Sequence, residues 1–130
     1  MTFRALLVIK AIVCLAFGPI LLFIPGVLLK LLGTSLGPGG FFTAREYGAA
    51  MFGTLVLTWF ARNVAEARAR HAILLDLFVY DAIGFVVTVL SVGAGVLNPL
   101  GWGIVVVYLF FTVGSGYLLL TRQTTAGVAA

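Results

Sequence analysis

Three ionisable residues, Lys10, Asp76 and Asp81, stand inside long apolar runs of this sequence. A charge in hydrocarbon costs about 3 kcal/mol even on lenient scales, so one kept there is expected to pair with another charge, hold an ion or ligand, or pass a proton. On a helix turning about 100° per residue, with Asp76 at 0°, Tyr80 falls at about 40°, Ser91 at about 60°, Gly84 at about 80°, Thr88 at about 120° and Asp81 at about 140°. The polar side chains of that segment therefore share one arc, which is expected to face into a bundle, while Phe78, Val79, Val86, Val89 and Leu90 form the side toward lipid. Counted from the membrane surface along the helical rise, Asp76 lies about 7 Å deep, Lys10 about 9 Å and Asp81 about 14 Å. The expectation is a polar cluster in which Lys10 pairs with Asp76, and Asp81 bonds to Tyr80 and a hydroxyl partner. Thr88 and Tyr108 are placed in the same space. Such a cluster either locks helix register or forms a site for an ion or small amphiphile.

The parts of a catalytic centre are missing. Neither a serine nor a cysteine nucleophile lies beside a histidine, acidic and histidine residues form no metal-ligand spacing, and Gly114 and Gly116 lie within an apolar run with no strand before them, so they are not a phosphate loop. Cys14 is the one cysteine, which leaves no intrachain disulfide, redox pair or thiolate zinc cluster. His71, the one histidine, has the chemistry to ligate a haem or pigment, but its place beside Arg70 reads as an interfacial loop position. A non-enzymatic protein without metal or cofactor is expected.

The elements that position these residues follow from composition. With 62% hydrophobic and only 9% charged residues, the 130-residue chain lacks the charged skin of a soluble domain. A helix needs about 20 apolar residues to cross a bilayer. Four stretches qualify, at about 3–24, 44–61, 72–92 and 101–121, separated by Gly33 to Gly40, the charged run Arg62 to His71, and Gly93 to Pro99. The expected fold class is all-α, one domain over residues 1–130, a four-helix transmembrane bundle. Lys10 interrupts the first stretch and no small-x-small site follows Phe23, which argues against a cleaved signal peptide. Pro19 is expected to kink the first helix near Leu15, and Pro25 to open a short interfacial helix around Lys30.

The net charge of +4 does not point to nucleic acid, because the basic residues form no stripe. They mark topology instead. Arg4, Lys10, Arg62, Arg68, Arg70 and Arg122 fall on the side of the termini and second loop, against Lys30 and Arg45 on the other, so both termini are expected in the cytoplasm. Trp102 suits an interfacial anchor.

Between helices in lipid, small residues and polar side chains do the packing. Glu46, Ala49, Ala50, Gly53 and Leu57 share an arc centred on the pair Ala49 and Gly53, expected against a neighbouring helix, and Ser115 and Gly116 lie on a packing arc of the fourth span with Gly101, Tyr108 and Thr112. Glu46 is placed to pair with Lys30.

The stretches Pro25-Gly26-Val27-Leu28-Leu29-Lys30-Leu31-Leu32-Gly33, Arg45-Glu46-Tyr47-Gly48-Ala49-Ala50 and Trp59-Phe60-Ala61-Arg62-Asn63 resemble the small DoxX-like and related four-helix proteins of bacterial membranes. The resemblance implies a four-helix bundle in a bacterial inner membrane and no particular activity. Two functions are carried forward. One is an accessory subunit, self-associating or packed into a larger membrane complex; the other is a binding or transport module built on Asp76, Tyr80, Asp81, Thr88 and Tyr108.

Overall fold

The structure, a computed structural model, describes the backbone of residues 1–129 and the side chains of residues 1–121. Arg122 thus lies outside the described side chains. Among the described residues there are five helices and no strand: α1 (Phe3–Phe23), α2 (Pro25–Leu31), α3 (Pro38–Ala61), α4 (Ala67–Gly93) and α5 (Gly101–Ala129). Three of them are long and apolar enough to cross a membrane, namely α1, α4 and α5 over its Gly101–Thr121 part. The second expected span is not among these: α3 is 24 residues long, but its first turns carry Gly39, Gly40, Thr43, Arg45 and Glu46, which dilute its apolar character.

Local chemistry sets the helix ends. Thr2 caps α1 by accepting a hydrogen bond from the Ala5 amide at 3.1 Å. The helix continues unbroken through Pro19 and stops at Ile24. Pro25 and Pro38 occupy the first turns of α2 and α3, where a missing N–H costs nothing. Gly33, at φ +81°, lets the chain leave α2, and the amides of Gly33 and Thr34 return to the carbonyls of Lys30 and Leu29. Gly95, at φ +75°, does the same after α4. The α3 helix starts earlier than the apolar run does, because Gly37 and Pro38 are a good helix start. The α4 helix absorbs Arg68, Arg70 and His71, leaving a turn of residues 62–66.

Helix packing is uneven around the molecule. The α1 helix runs along α3, α4 runs along α5, α1 also meets α5, and α2 lies on α1 and α3. The order around the bundle is therefore α3, α1, α5, α4. The fourth side, between α4 and α3, is scarcely closed by backbone contact. The α1–α3 approach depends on Gly48, where a Cβ would stand 2.6 Å from the Leu22 amide nitrogen. This replaces the expected α3 interface: Ala49 and Gly53 are exposed, and a Cβ at Gly53 meets nothing within 4 Å. Gly116 does pack, against the Phe78 ring, and Ser115 is fully buried. Phe78 is accordingly half-buried rather than lipid-facing.

Two ties join the α1–α3 and α4–α5 pairs at opposite ends. At the end bearing the N-terminus, Leu6 and Leu7 interlock with Leu74, Leu77 and Phe111 in a closed core. At the other end, Asn98 in the α4–α5 loop donates from its backbone amide to the Leu32 carbonyl at 2.8 Å and from Nδ2 to the Leu31 carbonyl at 2.9 Å. These bonds satisfy carbonyls at the C-terminus of α2 that its own helix cannot. Between the ties lies a cavity. The outer faces of the helices are apolar, with Phe23, Phe60, Leu90 and Leu120 among the most exposed side chains, as suits contact with a lipid bilayer.

Candidate functional site

At the inner end of the cavity Lys10 Nζ donates to Asp81 Oδ1 at 2.6 Å. Both side chains are buried, Asp81 completely. The α1 helix presents Lys10 on its buried face with Leu6, Leu7 and Cys14, and α4 presents Asp81 on the face formed by Leu74, Leu77 and Thr88. The pair reaches diagonally across the bundle, between helices whose backbones hardly meet. Among the described residues it is the one ion pair.

This corrects the expected pairing of Lys10 with Asp76. Asp76 is exposed, about 140° around α4 from Asp81. The buried face of α4 is centred near Asp81, and the long lysine stem spans the difference in depth that helical rise alone assigned. The Asp81–Tyr80 bond also gives way, since Tyr80 bonds elsewhere.

Three tyrosines gather beside the ion pair. The Tyr47 hydroxyl on α3 bonds to the Tyr80 hydroxyl on α4 and, at 2.9 Å, to the Tyr108 hydroxyl on α5. The Tyr47 and Tyr80 rings stack with centroids 6.4 Å apart. Lys10 Nζ lies 4.9 Å from the Tyr80 ring centroid and 4.4 Å from that of Phe111, within cation–π range. Gly84 makes room for this arrangement, because a Cβ there would run into the Tyr108 ring.

The hydroxyls expected to help are turned back on their own helices. Thr88 donates to the Gly84 carbonyl at 2.7 Å, Thr112 to Tyr108, and Ser115 to Phe111, each four residues back. Asp81 Oδ2 is left as a buried acceptor with no hydrogen-bond partner among the described residues. A buried carboxylate oxygen is normally bonded, and Asp81 Oδ2 is an exception.

The ion pair and tyrosines bound one end of a cavity of about 580 Å³, a size that takes a drug-sized molecule. Lys10, Asp81, Tyr47, Tyr80, Thr88 and Tyr108 line it together with Cys14, and apart from Thr43 and Thr54, whose hydroxyls bond back to their own helix, its remaining wall is apolar, running through Phe17, Met51 and Val107 to Leu32, Leu36 and Leu97 near the Asn98 tie. Of the expected site residues, Lys10, Tyr80, Asp81, Thr88 and Tyr108 thus share one space, and Asp76 does not. Tyr47 and Asn98 carry no charge and fall outside the polar arc of α4, so the wheel of that helix does not reach them. A signal was present for Tyr47: a tyrosine in place of phenylalanine within an apolar helix needs a hydroxyl partner, and α4 and α5 supply Tyr80, Tyr108 and Tyr117 as candidates. His71 and Glu46 are exposed and stand apart from the cavity.

No protein-family model matches this chain, and neither a curated protein nor a solved structure is similar to it at a significant level.

Proposed function

We propose that the chain is a four-span membrane protein of the kind the DoxX-like resemblance implies, seated in a bacterial inner membrane with both termini in the cytoplasm, and that it binds a small apolar or amphiphilic molecule. In this reading α3 is the remaining span, with Arg45 and Glu46 near the interface opposite the termini. Support comes from its 24-residue length and its close packing along α1. The observation that carries the binding reading is a cavity with an apolar wall and a polar floor of Lys10, Asp81 and three tyrosines. A register lock would need the ion pair and no room beside it.

The test is extraction of the purified protein. A small amphiphile should co-purify with the wild type in mild detergent and be lost from Ala44→Trp, which fills the cavity wall, at unchanged elution volume. Identical extracts from the two proteins would remove the proposal. The second reading, an accessory subunit or self-associating protein, is favoured by the unpartnered small-residue face of Ala49 and Gly53 on α3. It predicts a mass larger than one chain for the intact particle in native-membrane extracts.

A further inference from the structure

The cavity's α3–α4 side and the unused hydrogen-bonding capacity of its floor bear on what could enter and how. The α1–α3 and α4–α5 sides are closed by helices packed along each other, α1 meets α5 at a few places, and α3 and α4 hardly meet. On that side the cavity-lining residues Thr43 and Ala50 of α3 are exposed, and Tyr80 of α4, another lining residue, is 38% exposed. What crosses the gap is the hydrogen bond between the Tyr47 and Tyr80 hydroxyls. A gap in the side of a membrane bundle opens on lipid, so a molecule entering there is one already dissolved in the bilayer.

The floor then sorts head groups. Lys10 and Asp81 cancel each other at 2.6 Å, so an anion or a cation would meet no net opposite charge and would lose its hydration on entry. Hydrogen-bonding capacity of both kinds stays unused, and Lys10 Nζ itself makes one of its three possible hydrogen bonds, to Asp81 Oδ1. Asp81 Oδ2 lacks a donor. The three tyrosine hydroxyls have three protons and make two bonds among themselves, which leaves one proton to donate. A hydroxyl group both donates and accepts, and so answers both. We propose that the cavity takes from the lipid phase, through the α3–α4 side latched by Tyr47 and Tyr80, an uncharged amphiphile whose head carries a hydroxyl. This rests on the binding reading above and names its ligand class and route.

Cys14 lines the cavity, is buried and is the chain's single cysteine, so its alkylation reports reagent entry into the cavity at one site, and a bound molecule should slow it. The protein in phosphatidylcholine vesicles is treated with N-ethylmaleimide, and the labelled fraction is followed by intact mass. The probes are 1-decanol, decyl methyl ether, decanoate and decylammonium, which share an alkyl tail and differ in charge and donor. Decanol should slow labelling by about fivefold or more, as one well-placed hydrogen bond allows, and the other three should have little effect. Tyr47→Phe, which removes both hydroxyl bonds while keeping the ring, should speed labelling by a similar factor of about five. Ala50→Trp, at an exposed position on the α3 wall, should slow it. Protection by the ether or by the charged probes, equal to that by decanol, overturns the head-group assignment and leaves the cavity reading standing. Protection by none of the four overturns the cavity reading itself. Labelling rates unchanged in Tyr47→Phe and Ala50→Trp overturn the route.

Discussion

A buried lysine and a buried aspartate are each expensive alone and tolerable together, and the cost of separating them is where the Lys10–Asp81 pair can be measured. Lys10→Met leaves the Asp81 carboxylate without a partner in an apolar setting. Its stability should fall by about 3–5 kcal/mol, read from denaturant unfolding in mild detergent. Replacing both, with Lys10→Met and Asp81→Leu, should recover most of that loss, because the double variant buries no charge. A single variant as stable as the wild type would mean that the pair contributes nothing to the fold. Asp81 was legible from the sequence as the residue that had to face inward, since the helical wheel gathered the polar positions of α4 on one arc. Its partner was not. Depth counted along a helix axis ignores the length of a lysine stem, and only the orientation of Asp76 decides that it stays outside.

At the scale of helices, two glycines of α3 should behave oppositely. Gly48→Ala forces a methyl group against the Leu22 amide nitrogen and the Leu21 carbonyl carbon, backbone atoms that cannot move separately from α1. The helices must part, at a cost of about 1–3 kcal/mol. Gly53→Ala meets open space and should be neutral or gain up to about 1 kcal/mol from helix propensity. Thermal unfolding of the two variants side by side checks this, and equal destabilisation would contradict the packing of α3 through its Gly48 face. The apolar runs made α1, α4 and α5 readable, together with the short helix opened by Pro25. Pattern failed on which small residues touch a neighbour. Ala49, Gly53 and Gly48 are all small, and the rotation that selects Gly48 comes from the whole packing of α1.

For the molecule as a whole, charge placement gives a prediction that sequence and helix lengths share. With four spans, an export-dependent phosphatase should be active when fused after Pro38 or Pro99 and inactive when fused after Asn63 or Arg122. Activity after Asn63 would mean that α3 lies on the membrane instead of crossing it. The polar lining of the cavity at Tyr80, Asp81, Thr88 and Tyr108 was legible in the sequence, but its α3–α4 side was not, because that side is made by what is absent: contact between two helices that belong to no local pattern.

The two ties at opposite ends have a mechanical meaning. A clothes-peg opens because one end is free, whereas a bow held at both tips can only flex in the middle. With Leu6, Leu7 and Phe111 joining one end and Asn98 clasping the C-terminus of α2 at the other, rocking of the α1–α3 pair past the α4–α5 pair would have to break one of the two ties. On the binding reading proposed above, a molecule would enter and leave by the same bowed side, as expected of a protein that keeps or hands over a membrane-borne molecule.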